Sequence, residues 1–327
     1  GETYDFNVKI REKESGLIKA EKTVQIMAEK AETGFKCELK VEDVRLWSTW
    51  DHGYPWMYQA ELTLSRGKDI LSSRTTNFAF RDIQIERNEK ITRFWLNNRK
   101  LYIRGTSYFP DCYISAMTRE RYLRDLLNVK AAGFNLVRVH VHTEQEVFYD
   151  LCDELGIAVL QDSEYNWTHP STDEWAQRFA NVYRENVKLL KHHPSLICWI
   201  IMNEPGCVDP DGNVRRRFME ENPGPALYRE VQKMDPGRPI IKGSFCEDDP
   251  LSGDSHNYLG SLSGGEYADI YEQTEKLNTE YGFDAPGSSE NLKTVPAVYH
   301  RLEKLVDDIP KIQEYQYKLL KYYTEHY

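Results

Sequence analysis

The stretch Leu196-Ile-Cys-Trp-Ile-Ile-Met-Asn203-Glu204-Pro205 sets an unbroken apolar run directly before an asparagine and a glutamate. A run of that length, buried on both faces, marks a central strand of a parallel sheet covered by helices. Working outward, the same grammar recurs. Upstream, a helical segment running to about His192 is stopped by Pro194. Before it, Leu101–Gly105 precedes a helix with Tyr122, Leu123, Leu126, Leu127 and Val129 mostly on one face. Asn135–His142 precedes the helix Glu146–Leu155, capped by Gly156, and Ile157–Asp162 follows at once. Downstream, Arg238–Gly243 reads as a fifth strand, Gly253–His256 as a weak sixth and Lys276–Glu280 as a seventh. Ile309–Tyr327 reads as a helix with Ile312, Tyr315, Leu319, Leu320 and Tyr323 on its apolar side. Strict alternation of this kind predicts an α/β TIM (β/α)8 barrel. The eighth strand is missing from the chain, and a barrel left with two unpaired edges suggests a fragment.

Ahead of the barrel the period changes to two. Tyr4–Ile10, Thr23–Ile26, Phe35–Val41, Met57–Leu64 and Phe78–Ile85 alternate apolar and polar residues with turns between them, which predicts a small antiparallel immunoglobulin-like β-sandwich. The expected domains are 1–88 for the sandwich and 89–327 for the barrel, incomplete at its carboxyl end.

Composition narrows the partners. In 327 residues the net charge is −10, with basic residues scattered, so no electrostatic footprint for nucleic acid is offered. The longest apolar run is far shorter than the roughly 18 residues a membrane span needs. Six cysteines without a C-x-x-C pair suggest neither a zinc knuckle nor a disulfide framework. Compartment and oligomeric state are left open.

Function in such a barrel collects at the carboxyl ends of the strands. Glu204 ends the fourth strand and Glu280 the seventh, so both stand on one rim. Paired carboxyls suit glycoside hydrolysis, in which the leaving oxygen is protonated while the anomeric carbon is met from the opposite face. A cation beside one of them decides which stays ionised, and Arg138 is the candidate. On Val137-Arg-Val-His-Val-His142 the period of two puts Arg138, His140 and His142 on the face opposite the valines, toward the barrel mouth. The competing reading takes His140, His142 and His256 as metal ligands of a hydrolase. A third takes the chain as an inactive carbohydrate-binding fragment. Trp47, Trp50 and Trp56 are core or domain-interface residues in one reading and sugar platforms in another.

Several of these stretches resemble glycoside hydrolase family 2, which includes β-galactosidases, β-glucuronidases and β-mannosidases. They are Leu46-Trp47-Ser48, Phe78-Ala-Phe-Arg81, Leu96–Gly105, Phe148–Gly156 and His193-Pro-Ser195 through Asn203-Glu204. The resemblance implies a retaining exo-acting β-glycosidase with Glu204 as general acid/base and Glu280 as nucleophile. It also implies that Asn203 donates to the sugar 2-hydroxyl and that Arg138 keeps Glu280 ionised. No cofactor or metal is implied. Val137-Arg-Val139, Asp254-Ser-His256 and Glu280-Tyr-Gly-Phe283 look most like the β-mannosidase branch. His140, Asp162, Glu164, Trp167, His256 and Tyr258 are the expected sugar contacts, each with a structural role at the rim as its alternative. The family's amino-terminal sugar-binding domain is absent from the chain as read.

Overall fold

The computed structural model describes residues 2–28, 34–168, 172–208, 214–215, 224–245, 254–282, 290, 293–294 and 308–327. The amino-terminal module is an antiparallel sheet of β1 (Glu2–Glu12), β2 (Ile18–Ala28), β3 (Tyr58–Arg66) and β4 (Asp69–Phe78), ordered β2-β1-β3-β4. Ile10, Tyr58 and Ala60 form its apolar centre, covered by Leu39, Val41 and Val44. The expected strand Phe35–Val41 is therefore a layer of this module, but it runs as extended chain without a ladder. Alternation there reports only that every second side chain faces the sheet; Phe35 meets Phe6 edge-on at 4.9 Å.

The expected strand Phe78–Ile85 divides. Phe78 ends β4, and Ile83 opens β5 (Ile83–Arg87), which pairs with β6 (Thr92–Leu96) and β7 (Arg99–Leu101) in a separate antiparallel sheet. Ile83, Phe94, Leu96 and Leu101 pack against Leu136, Ala158, Ile197 and Ile241, at the starts of the barrel strands. The small sheet thus plugs the bottom of the barrel. Arg81 fastens the entry by donating to the carbonyls of Pro194 and Leu196, each at 2.7 Å. Arg87 donates to the carbonyl of Ile240.

The first barrel strand starts where the expected one ends, as β8 (Gly105–Tyr108), because Leu101 is taken by the plug. Glycine is required at 105: a Cβ there would stand 2.6 Å from Leu136 Cδ2 and 2.8 Å from the Leu136 carbonyl oxygen. β8, β9 (Leu136–Val139), β10 (Ala158–Asp162), β12 (Leu196–Val208) and β14 (Ile240–Ser244) follow one another as parallel neighbours. β11 (Asn166–Thr168) resumes the pairing beside β12, and β13 (Val214–Arg215) turns back on it. β15 (Ser255–Asn257) and β16 (Asn278–Tyr281) form a further parallel pair. The α-helices with bounds among the described residues are α1 (Arg119–Ala131), α2 (Glu146–Leu155), α3 (Asp173–Leu190), α4 (Gly224–Met234) and α5 (Ile309–His326).

Burial follows the period of two. Val137, Val139, Val159 and Trp199 face the helices and share a core with Tyr122, Phe148, Tyr149 and Tyr183. Leu136, Ala158, Leu160 and Ile200 face inward, onto the plug. The fold is thus a β-sandwich module followed by a TIM-barrel sheet, with seven parallel barrel strands among the described residues. α5 packs Leu319 and Tyr323 on Ile270 and Tyr281, while Leu320 is exposed. Its terminal Tyr327 carbonyl accepts from the Tyr102 hydroxyl, and Asn278 on β16 donates to the Tyr327 hydroxyl. The end of α5 therefore touches the segment before the first strand and the seventh strand.

Two of the three tryptophans settle into the module boundary. Trp47 is fully buried and donates to the Asp153 carbonyl, and Trp50 donates to the Phe134 carbonyl. Trp56 lies beneath the Arg45 guanidinium, 4.3 Å from the ring centre.

Candidate active site

At the mouth of the barrel Arg138, on β9, organises the charges. Its Nε and Nη2 grip both oxygens of Asp162 at 3.1 and 2.8 Å, Nη1 reaches Glu280 Oε1 at 2.7 Å, and Nη2 also donates to Asn203 Oδ1 at 2.7 Å. Burial opposes the arginine charge, but the Asp162 and Glu280 carboxylates outweigh it and hold the group above the ordinary arginine range. Asp162 is itself fully buried. Its burial penalty is overcome by the charge and the hydrogen bonds of Arg138, with the His140 ring beside it, so its carboxyl lies below the usual range.

Glu280 is held by both oxygens: Arg138 donates to Oε1, and the Tyr258 hydroxyl donates to Oε2 at 2.5 Å. Burial, then this bond to Glu280, push the Tyr258 phenol well up, so it remains a donor. His140 Nδ1 lies 3.4 Å from Asp162 Oδ2 and from Glu280 Oε1.

Opposite stands Glu204, whose Oε1 is 2.7 Å from His256 Nδ1. The same ring nitrogen is 3.4 Å from Glu280 Oε2. One carboxylate oxygen of Glu204, one of Glu280 and a ring nitrogen of His256 all lie within 4.8 Å of one another. Backbone geometry explains how Asn203 and Glu204 both turn inward when a regular strand would send them to opposite faces. Glu204 takes φ +44°, a left-handed conformation costly for a side chain with a Cβ and typical of functional positions.

A second left-handed residue, Val141 at φ +51°, corrects the expected face Arg138–His140–His142. Its N–H binds Asp162 Oδ2, and beyond it His142 turns away to the His140 carbonyl and Glu144. His142 therefore does not converge with His140 and His256, and the three-histidine metal site does not form. The carboxylates and His256 are close enough to share a cation, but the Arg138 charge 2.7 Å from Glu280 opposes a second positive ion there. Asp150, Asp153 and His193 cluster elsewhere, beneath the barrel wall. There Asp153 accepts from the Ser195 N–H and pairs with His193, bracing the start of β12.

Of the expected contacts, Asn203, Arg138, His140, Asp162, His256 and Tyr258 join the carboxylate pair. Glu164 does not: it is exposed and accepts from Thr143 and Asn186. Trp167 lies on β11, and its side chain falls outside the described residues. Sequence reasoning missed Asn166, which accepts from Asn203 Nδ2 at 2.9 Å, and the hydroxyls of Ser244 and Thr279 behind His256. Their signal was position: Ser244 ends an apolar strand, and Thr279 directly precedes Glu280.

Residues 87–298 match the TIM barrel domain of glycosyl hydrolases family 2, and residues 1–81 match a further domain of the same family. Beta-mannosidase B of Aspergillus clavatus is 26% identical over 283 residues, covering 76% of this chain and 33% of the relative. The chain thus spans about a third of the length of the curated relatives it matches. Among solved structures, a β-D-mannosidase from Dictyoglomus thermophilum superposes with a TM-score of 0.81 at 20% identity, over 99% of this chain and 46% of the other. A Bacteroides uniformis β-glucuronidase does so with 0.76 at 21% identity, over 98% and 40%. The domain matches run in order along the chain and the barrel match alone takes in most of it, so the chain belongs to glycosyl hydrolase family 2.

Proposed function

We propose that the protein is a retaining β-glycosidase acting on terminal, non-reducing β-linked sugars, with β-mannosides as its substrates. The carrying observation is the carboxylate pair: oxygens of Glu204 and Glu280 lie within 4.8 Å. Double displacement uses carboxyls about 5–5.5 Å apart, whereas inversion needs about 6.5–9.5 Å to admit water.

The surroundings support distinct roles. Glu280, bound by Arg138 and Tyr258, is oriented as the nucleophile, with no proton of its own required for either bond. Glu204, facing the imidazole of His256, is placed to exchange a proton. In the first step Glu280 bonds the anomeric carbon as the glycosidic C–O bond breaks, and Glu204 gives its proton to the leaving oxygen. In the second step Glu204 takes a proton from water, whose oxygen displaces Glu280 from the sugar. Asn203, whose Oδ1 is held by Arg138 and whose Nδ2 donates to Asn166, keeps a second amide hydrogen for the sugar 2-hydroxyl. The β-mannoside assignment rests on the likeness to Beta-mannosidase B. The likeness to β-glucuronidases keeps a β-glucuronide as the second substrate to be tried.

A panel of nitrophenyl β-glycosides tests both parts. Turnover is expected to be greatest on the mannoside and abolished by Glu280→Gln. Activity undiminished in that variant removes the nucleophile assignment, and preference for the glucuronide removes the mannoside one.

A further inference from the structure

Behind His256 a chain of hydrogen bonds runs away from the substrate side to a buried carboxyl. His256 Nε2 is 2.8 Å from Ser244 Oγ, Ser244 Oγ is 2.8 Å from Thr279 Oγ1, and Thr279 Oγ1 is 2.6 Å from Asp254 Oδ2. The other oxygen of Asp254 is committed, accepting from the Phe245 N–H at 2.8 Å. Asp254 is 9% exposed and Ser244 fully buried, so the pattern is closed by protein groups.

We propose, building on the glycosidase reading above, that Asp254 is a positioning residue which sets the tautomer of His256 through Thr279 and Ser244. It thereby decides whether the general acid Glu204 faces a lone pair or an N–H. The logic follows from counting protons along the chain. When Asp254 is ionised, Thr279 must donate to it, Ser244 must donate to Thr279, and Ser244 can only accept from His256 Nε2–H. A neutral His256 then presents the bare Nδ1 lone pair to Glu204 at 2.7 Å, a contact that repels unless a proton lies between them. Glu204 and His256 together thus retain the proton that Glu204 delivers to the leaving group. When position 254 donates instead, every bond in the chain reverses. His256 then carries its proton on Nδ1 and offers it to Glu204, which is stabilised as a carboxylate and less often holds the proton that the leaving group needs.

Among the described residues, the groups facing His256 come from several elements. Glu204 lies on β12, Glu280 and Thr279 on β16, Ser244 at the end of β14, and Asp254 just before β15. Phe245 is stacked on the ring at 5.2 Å. Arg138, His140 and Tyr258 reach Glu280 from its other sides. Burial pushes the Asp254 carboxyl up, against the bonds and charges of Thr279, His256, Arg138 and Phe245, so acid favours the reversed chain.

Asp254→Asn imposes the reversal, because the amide must keep its oxygen toward the Phe245 N–H and turn its NH2 to Thr279. Imidazole ¹⁵N shifts on the protein are expected to show the His256 proton on Nε2 in the parent at neutral pH and on Nδ1 in the variant. The basic limb of the kcat/KM profile should move to lower pH. Activity on an alkyl glycoside should fall about tenfold, part of the roughly 10²–10⁴-fold a general acid supplies, while a dinitrophenyl glycoside, which needs no protonation, is spared. Thr279→Val should reproduce the Nδ1 tautomer by freeing the Ser244 hydroxyl to donate, and Thr279→Ser should restore Nε2. An unchanged tautomer in both Asp254→Asn and Thr279→Val overturns the inference, as does an equal loss on both leaving groups. The ¹⁵N reading needs no turnover, so it decides this point even if the glycosidase reading fails on the nitrophenyl panel.

Discussion

Arg138 binds Asp162, Glu280 and Asn203 at once, so its three partners are held by a single buried fork. Its place was legible, because a charged residue between valines on a strand has only the barrel interior to enter. The turn at Glu204 was not legible: its positive φ accompanies the pairing with His256, which comes from a distant segment. The same is true of Asp254, which looks like an ordinary loop aspartate until Thr279 and Ser244 are seen between it and His256. Asp162→Asn leaves the arginine with less compensation in a dry site and is expected to cost about 3 kcal/mol by urea unfolding, the lower end for breaking a buried pair because Glu280 remains. The folded Asp162 pKa is depressed, so its stabilisation is present above the unfolded value and is lost as pH falls below about 4 toward the folded one. The gap between parent and variant should narrow in acid; a gap constant from pH 7 to the acid limb contradicts the ion-pair account.

Elements were readable where both faces are buried. The strands and helices of the barrel lie within a few residues of their expected places, since β9, β10 and β12 are buried by helices on one side and by the plug or the site on the other. Phe35–Val41 and Leu101–Gly105 were misplaced for one reason: alternation tells which side chains are covered, not which backbone pairs with them. Junctions are likewise a matter of close approach. Gly156 ends α2 with φ +69°, and a Cβ there would stand 2.8 Å from the backbone nitrogen of Trp50. Gly156→Ala therefore combines left-handed strain with a clash against the sandwich loop, and a loss of about 1–3 kcal/mol is expected in denaturant unfolding. A neutral result would show that the two modules do not meet as tightly as Trp47 and Trp50 indicate.

Across the whole molecule, the sandwich and the barrel share apolar packing, because Trp47 and Met57 lie in one cluster with the plug and the inner barrel strands. That shared core gives the mouth a rigid floor, on which the strands deliver residues from positions 138 to 280 into one site. The fold class was legible from the order of the elements, and the meeting of the two glutamates from their places late in two barrel strands, although β12 runs on past Glu204 to Val208. Substrate identity was not, since a sugar is read by rim loops whose shape depends on the assembled barrel. The pair is tested most directly by covalent trapping. The protein is incubated with 2-deoxy-2-fluoro-β-mannosyl fluoride, or with the fluoro sugar of whichever glycoside it turns over, and the labelled peptide is sequenced by mass spectrometry. The label is expected on Glu280, with the product sugar released in the β-configuration. A label on another residue, or turnover that leaves the protein unlabelled and yields the α-product, would contradict the account.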